Sequence, residues 1–191
     1  MGLFDVITGR RKLAQPAEDR LFAISTAYVT LETSLGIESA GAAAIVFQAL
    51  STADFTSIVS DMEEVVRATA ADSGTRVETS DDTYGFRWLV LRGGSFDDLV
   101  VGINAVGGAL EAGGYGDRVL CAVFGFVETA TKRPLYLIYN YKRGSFYPFV
   151  PAGGAQQRDT ERELVLKAQL AGELPIEAEL ERWFPLWGIP I

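Results

Sequence analysis

Residues 118–141 read RVLCAVFGFVETATKRPLYLIYNY, and this stretch decides the fold. Two apolar runs, 118–127 and 134–141, are rich in β-branched and aromatic residues and flank the polar turn ETATKR, which is the pattern of an antiparallel hairpin. Pro134 has no N–H to donate, so it must open its strand or lie at an edge. Upstream the pattern repeats. Runs 75–80 and 83–91 are joined by Asp81 and Asp82, which suit a tight turn, and Tyr84, Phe86, Trp88 and Val90 alternate with Arg87, Leu89 and Leu91 to give the second run two faces. Residues 42–49 (AAAIVFQA) add a buried strand.

Helical periodicity fills the intervals. Leu21, Ile24, Tyr28, Leu31 and Leu35 make a stripe over 17–35 that Gly36 ends. Ser51 with Asp54 opens the clearest helix, whose stripe is Phe55, Ile58, Val59, Met62, Val65 and Val66 and whose end is Gly74. Ser95 with Asp98 opens another, with Leu99, Ile103, Val106 and Leu110 inward; both stripes are expected to face the sheet. Gly102, Gly107 and Gly108 weaken that helix by about 1 kcal/mol each relative to Ala, which points to close packing of its backbone. The last helix starts at Asp159 or Thr160, with Thr160 and Glu163 in capping-box spacing, and Gly172 ends it. The order α-β-α-ββ-α-ββ-α lacks sustained βαβ alternation, so the fold class is α+β, a single domain with a mainly antiparallel sheet. At fold level it resembles secretion-chaperone-like domains, which carries no function by itself.

The 191 residues hold no linker, so the expected division is an amphipathic segment, 1–15, and one domain, 16–191, on which the aromatic tail with Trp183, Phe184 and Trp187 docks. The net charge is −8, but Arg10, Arg11 and Lys12 against Asp5 give residues 1–12 a charge of +2, leaving −10 on the rest. Such a body repels phosphate backbones, and no nucleic-acid partner is expected. No run approaches the roughly 20 apolar residues of a membrane span. With one cysteine and no secretory signal in the opening residues, a cytoplasmic location is expected, extending to the inner face of the cell membrane.

Histidine is absent, which removes the commonest general base and most transition-metal sites, so neither enzymatic activity nor a metal or cofactor is expected. Cys121 sits among apolar neighbours as a small hydrophobe. Asp81-Asp82 and Asp97-Asp98 read as a turn and a helix N-terminus. Two features stand out. Lys142, Arg143, Phe146, Tyr147 and Phe149, read as a loop after the last strand, combine cations and rings as a partner-binding hot spot does. Leu3, Phe4, Val6 and Ile7 share a helical face beside Arg10, Arg11 and Lys12, which suits the surface of an anionic membrane.

MGLFDVITGRRK, DTYGFRWLVLR, LCAVFGF, YKRGSFYPFVP and RWFPLWG, spread in this order over nearly the whole chain, together resemble the PspAB-like family. The resemblance implies a non-catalytic accessory or adaptor protein of the phage-shock, or envelope-stress, response. Its implied partner is PspA or another component of that system, and it brings no catalytic residues. The alternative is a chaperone-like module that holds an amphipathic helix or unfolded segment of a client, for which an oligomer is usual.

Overall fold

The structure is a computed structural model, and it describes residues 20–191 except 155, with the side chains of 69–73 outside the description. The amphipathic segment expected over 1–15 lies outside the described residues. Among the described residues four helices, α1 (Ala23–Leu35), α2 (Ala53–Ser73), α3 (Phe96–Ala112) and α4 (Thr160–Leu170), accompany six strands. These are β1 (Ile37–Gln48), β2 (Arg76–Asp81), β3 (Phe86–Arg92), β4 (Val119–Glu128), β5 (Pro134–Asn140) and β6 (Ser145–Phe149). They form one open antiparallel sheet in the order β2-β3-β1-β4-β5-β6, so the two hairpins flank β1, as the α+β class requires.

Alternation along the strands gives the sheet two buried faces. Ile45, Phe47, Leu89, Leu91, Phe124, Leu137 and Tyr139 meet the helices. Ala44, Val46, Trp88, Val90, Val123, Ile138, Tyr147 and Phe149 form a second core with Trp183, against which Leu186, Ile189 and Ile191 pack. The tail therefore crosses the face opposite the helices. It also covers the β6 edge, where Phe146 donates its N–H to Pro175 O at 2.8 Å and accepts at its own carbonyl from Glu177 N–H at 2.8 Å.

Local chemistry accounts for most boundaries. Gly36 ends α1 at φ 63°, a conformation that costs glycine little. The Ser95 hydroxyl accepts from the Asp98 N–H and the Asp98 carboxylate from the Ser95 N–H, a full capping box on α3. A Cβ on Gly107 would lie 3.0 Å from the Tyr141 hydroxyl, and one on Gly102 would lie 2.5 Å from Leu91 Cδ1. Gly102 and Gly107 are thus places of close approach.

Four expectations need correction. Tyr84 does not share the face of Trp88; it is 84% exposed in a turn closed by the Asp82 carboxylate, which accepts from the N–H groups of Tyr84 at 2.8 Å and Phe86 at 3.0 Å. Val65 is 65% exposed because α2 packs against α3 and the β2 edge rather than over the middle of the sheet. Asp159, not Thr160, caps α4, accepting from the Arg162 N–H at 2.9 Å, while Glu163 turns inward. The stretch read as a loop is strand β6, because Phe146, Tyr147 and Phe149 each find a core to enter.

The capping and turn carboxylates also set the acid sensitivity of the fold. Asp98 is held below the usual carboxylate range by hydrogen bonds from the Ser95 side chain and N–H, and Asp159 by its hydrogen bond from Arg133 and then by the Arg162 N–H. A depressed folded pKa contributes stability that is present above the unfolded value, near about 4, and lost as pH falls through the folded one. The melting temperature should therefore fall as pH drops below about 5 and continue to fall through the depressed folded values. Thermal denaturation of Asp159→Asn should show a shallower fall over that window; an identical slope would mean that this carboxylate contributes nothing.

Candidate functional site

The five residues expected to bind a partner separate in the fold. Phe146 is fully buried against the helices, packed on Tyr139 with ring centroids 4.7 Å apart. Tyr147 and Phe149 point the other way. Tyr147 stacks on Trp183 at 6.3 Å and donates its hydroxyl to Phe184 O at 3.0 Å, and burial pushes that hydroxyl's pKa far up. Phe149 meets the edge of Trp187 at 5.1 Å. These three rings hold the sheet to its two covers, so in this fold they present no surface to a partner.

The two cations lie in the β5–β6 turn and diverge. Arg143 forms an ion pair with Glu177, whose carboxylate also accepts from the Glu179 N–H. Lys142 borders a depression of about 470 Å³ with Gly107, Glu111, Asp117, Val119 and Tyr141. Leu3, Phe4, Val6, Ile7, Arg10, Arg11 and Lys12 lie outside the described residues.

Groups capable of chemistry are engaged elsewhere. Cys121 is buried, and burial pushes its thiol up to about 12, so it stays protonated. Asp81 holds Arg87 through paired hydrogen bonds of 2.7 and 2.9 Å across the β2–β3 hairpin. Among the described residues no group of three or more carboxylates, cysteines or histidines is placed to hold a metal ion, and no helix is long and apolar enough to cross a membrane.

One charged pair is deeply built. Glu163 is fully buried on the first turns of α4, where its carboxylate receives Arg158 Nε at 2.9 Å and the Val150 N–H at 2.9 Å. Burial pushes this carboxyl up, and the Arg158 and Val150 hydrogen bonds pull it back. Arg158 also donates to Trp183 O at 2.6 Å and lies over the Phe149 ring at 5.7 Å. Strand, helix and tail thus meet at one guanidinium, a structural joint that the capping-box reading of Glu163 did not anticipate.

An open, largely apolar surface lies between α2 and α3. These helices run antiparallel: the Gly113 end of α3 meets Ile58 near the start of α2, and the Gly94 end meets Thr75 just past the end of α2. Ile58, Met62, Val65 and Val66 on one side and Ala105, Ala109 and Gly113 on the other line a groove of about 360 Å³, with Asp61 as its charged member. Val101, one turn before Ala105, is 55% exposed. The sequence did hold a signal for this surface: Val101, Ala105 and Ala109 recur every four residues beside the Leu99 stripe, which makes α3 apolar on more of its circumference than one core contact uses.

The family model described as PspA associated protein B, PspAB, matches residues 1–191. No curated protein and no solved structure matches the chain. The family match spans every element described above, from the hairpins and capped helices to the tail, and so the chain belongs to the PspAB family, the PspA associated B proteins.

Proposed function

We propose that this chain is a non-catalytic adaptor of the phage-shock response that binds PspA through the outer surface of its folded body. The match of the PspAB family over residues 1–191 carries the reading, since that family is accessory to PspA. The chemistry on the page supports it: the cysteine is buried and protonated, and the acidic pairs serve a turn, a hairpin and a helix cap. Residues 1–12 add a weak contact with an anionic membrane surface, since three cations contribute on the order of 1 kcal/mol each there.

The test is capture of purified PspA by the full chain, followed over a salt series, together with co-sedimentation of the chain with anionic vesicles. PspA should be retained, and replacing Arg10, Arg11 and Lys12 by Gln should abolish vesicle binding while leaving PspA capture intact. Absence of PspA from the captured fraction would sink the adaptor reading. A second reading, a chaperone-like module for an amphipathic or unfolded segment, is favoured by the open α2–α3 groove. It predicts retention of denatured PspA and not of the folded protein.

A further inference from the structure

We propose that the groove between α2 and α3 is the docking site for a basic amphipathic helix of the partner protein, seated with its apolar stripe on Ala105, Ala109 and Val65 and its Lys and Arg residues toward Asp61. The inference rests on the adaptor reading and names the surface that does the binding.

Shape gives the first argument. Two antiparallel helices leave a straight trough, and from Val101 to Gly113 the α3 wall runs for about 18 Å at 1.5 Å per residue, enough for three turns of a third helix. The α3 wall is Ala105, Ala109 and Gly113, small residues that let a helix backbone approach, while Ile58 and the exposed Val65 on α2 supply apolar area opposite.

Charge identifies the occupant. Residues 53–73 and 96–112 contain Asp54, Asp61, Glu63, Glu64, Asp72, Asp97, Asp98 and Glu111 against Arg67 alone, which is eight negative charges less one positive, or −7 of the chain's net −8. Arg67 is itself held by Glu63 at 3.3 Å. Among the described residues Asp61, in the groove, and Asp54 and Glu64, elsewhere on α2, have no ion-pair partner. A second copy of this chain would bring the same net charge of −8 and set one Asp61 against another, and an anionic membrane would add to the repulsion, so both are disfavoured. A cationic helix is complementary in charge, in apolar character and in length.

The experiment measures PspA affinity by titration calorimetry for the full chain and three full-length variants. Ala105→Trp fills the trough from a solvent-facing position. Asp61→Lys reverses the charge beside it. Phe184→Ala, on the opposite face of the sheet, is the control. The assignment expects PspA affinity to fall about tenfold or more in the first two at unchanged melting temperature, with little change in the control, and the wild-type affinity to weaken steeply with salt. Wild-type binding that neither groove variant disturbs would overturn the groove while leaving the adaptor reading standing. No binding by the wild type would sink both. The chain's own residues 1–12 are also basic and amphipathic. If replacing Arg10, Arg11 and Lys12 by Gln in the full chain raised PspA affinity tenfold, the groove would belong to that segment instead, and the assignment to an outside helix would fail.

Discussion

Replacing Arg158 by Ala is expected to destabilise the fold by about 3–5 kcal/mol, because it strands a fully buried carboxylate. The cost of taking Glu163 out of water is offset in the native protein by the Arg158 guanidinium at 2.8 Å and the Val150 N–H, and nothing in the apolar surroundings of Leu166 and Phe149 can replace the cation. The same change frees the Trp183 carbonyl that Arg158 holds and removes the cation over Phe149, so tail and strand loosen together. For a domain of typical stability, about 5–15 kcal/mol, this is a large share, and the melting temperature should drop by roughly 10 °C or more. The pH dependence separates the electrostatic cause from lost packing. Without the cation, the burial that already raises Glu163 is opposed only by the Val150 N–H, and its folded pKa rises further above the unfolded value. A raised pKa contributes stability that is present below the unfolded value and lost as pH rises through the folded one. The deficit of Arg158→Ala should therefore be larger at about pH 8 than at about pH 5, and Arg158→Ala combined with Glu163→Gln should recover part of it. A deficit independent of pH, or no recovery in the double variant, would show that Arg158 acts by packing alone.

Trp183→Ala should cost about as much, about 3–5 kcal/mol, through a different mechanism. Trp183 is 4% exposed, stacks on Tyr147 and donates its indole N–H to Glu177 O at 3.1 Å, so truncation leaves a cavity on the tail face and an unpaired carbonyl beneath it. Further along the tail, contacts between Arg92 and Pro190 O and between Tyr136 and Ile191 O hold it over β3 and β5, where Leu186, Ile189 and Ile191 pack on the same core. Limited proteolysis is the direct readout. In the wild type the tail should resist cleavage beyond 176, and in Trp183→Ala that region should be cut well before the sheet. A variant that loses stability while its tail remains protected would mean that Trp183 supports the sheet alone. Tyr147→Ala should behave like Trp183→Ala, since the two rings form one contact; as a loop residue Tyr147 would have left the melting temperature unchanged.

Both results depend on a distinction between local and distant partners. Elements whose reasons are local were legible in the residues: the ETATKR hairpin, the Ser95–Asp98 capping box, the Gly36 terminus and the alternation of Trp88 and Val90 with Leu89 and Leu91 each need only neighbours a few positions away. The candidate site was legible only in part, because aromatic residues such as Tyr147 and Phe149 look the same in sequence whether their rings meet solvent or the distant Trp183 and Trp187 of the tail.

By itself the sequence determined the class of the fold, the β2–β3 and β4–β5 hairpins, the Ser95 and Gly36 caps, and the absence of the histidine on which common catalysis depends. It determined as well that negative charge would dominate the body, since charge is a sum over residues and needs no coordinates. Only the tertiary structure decided which surfaces survive packing. It sent the rings of β6 inward, joined Arg158 to Glu163 and to Trp183, laid the tail over the second face of the sheet, and set α2 beside α3 so that an apolar, acidic trough stays open. The physical reason is that burial depends on pairing between elements far apart in the chain. A side chain's periodicity says which face it occupies, but only the element laid against that face decides whether it is core or surface.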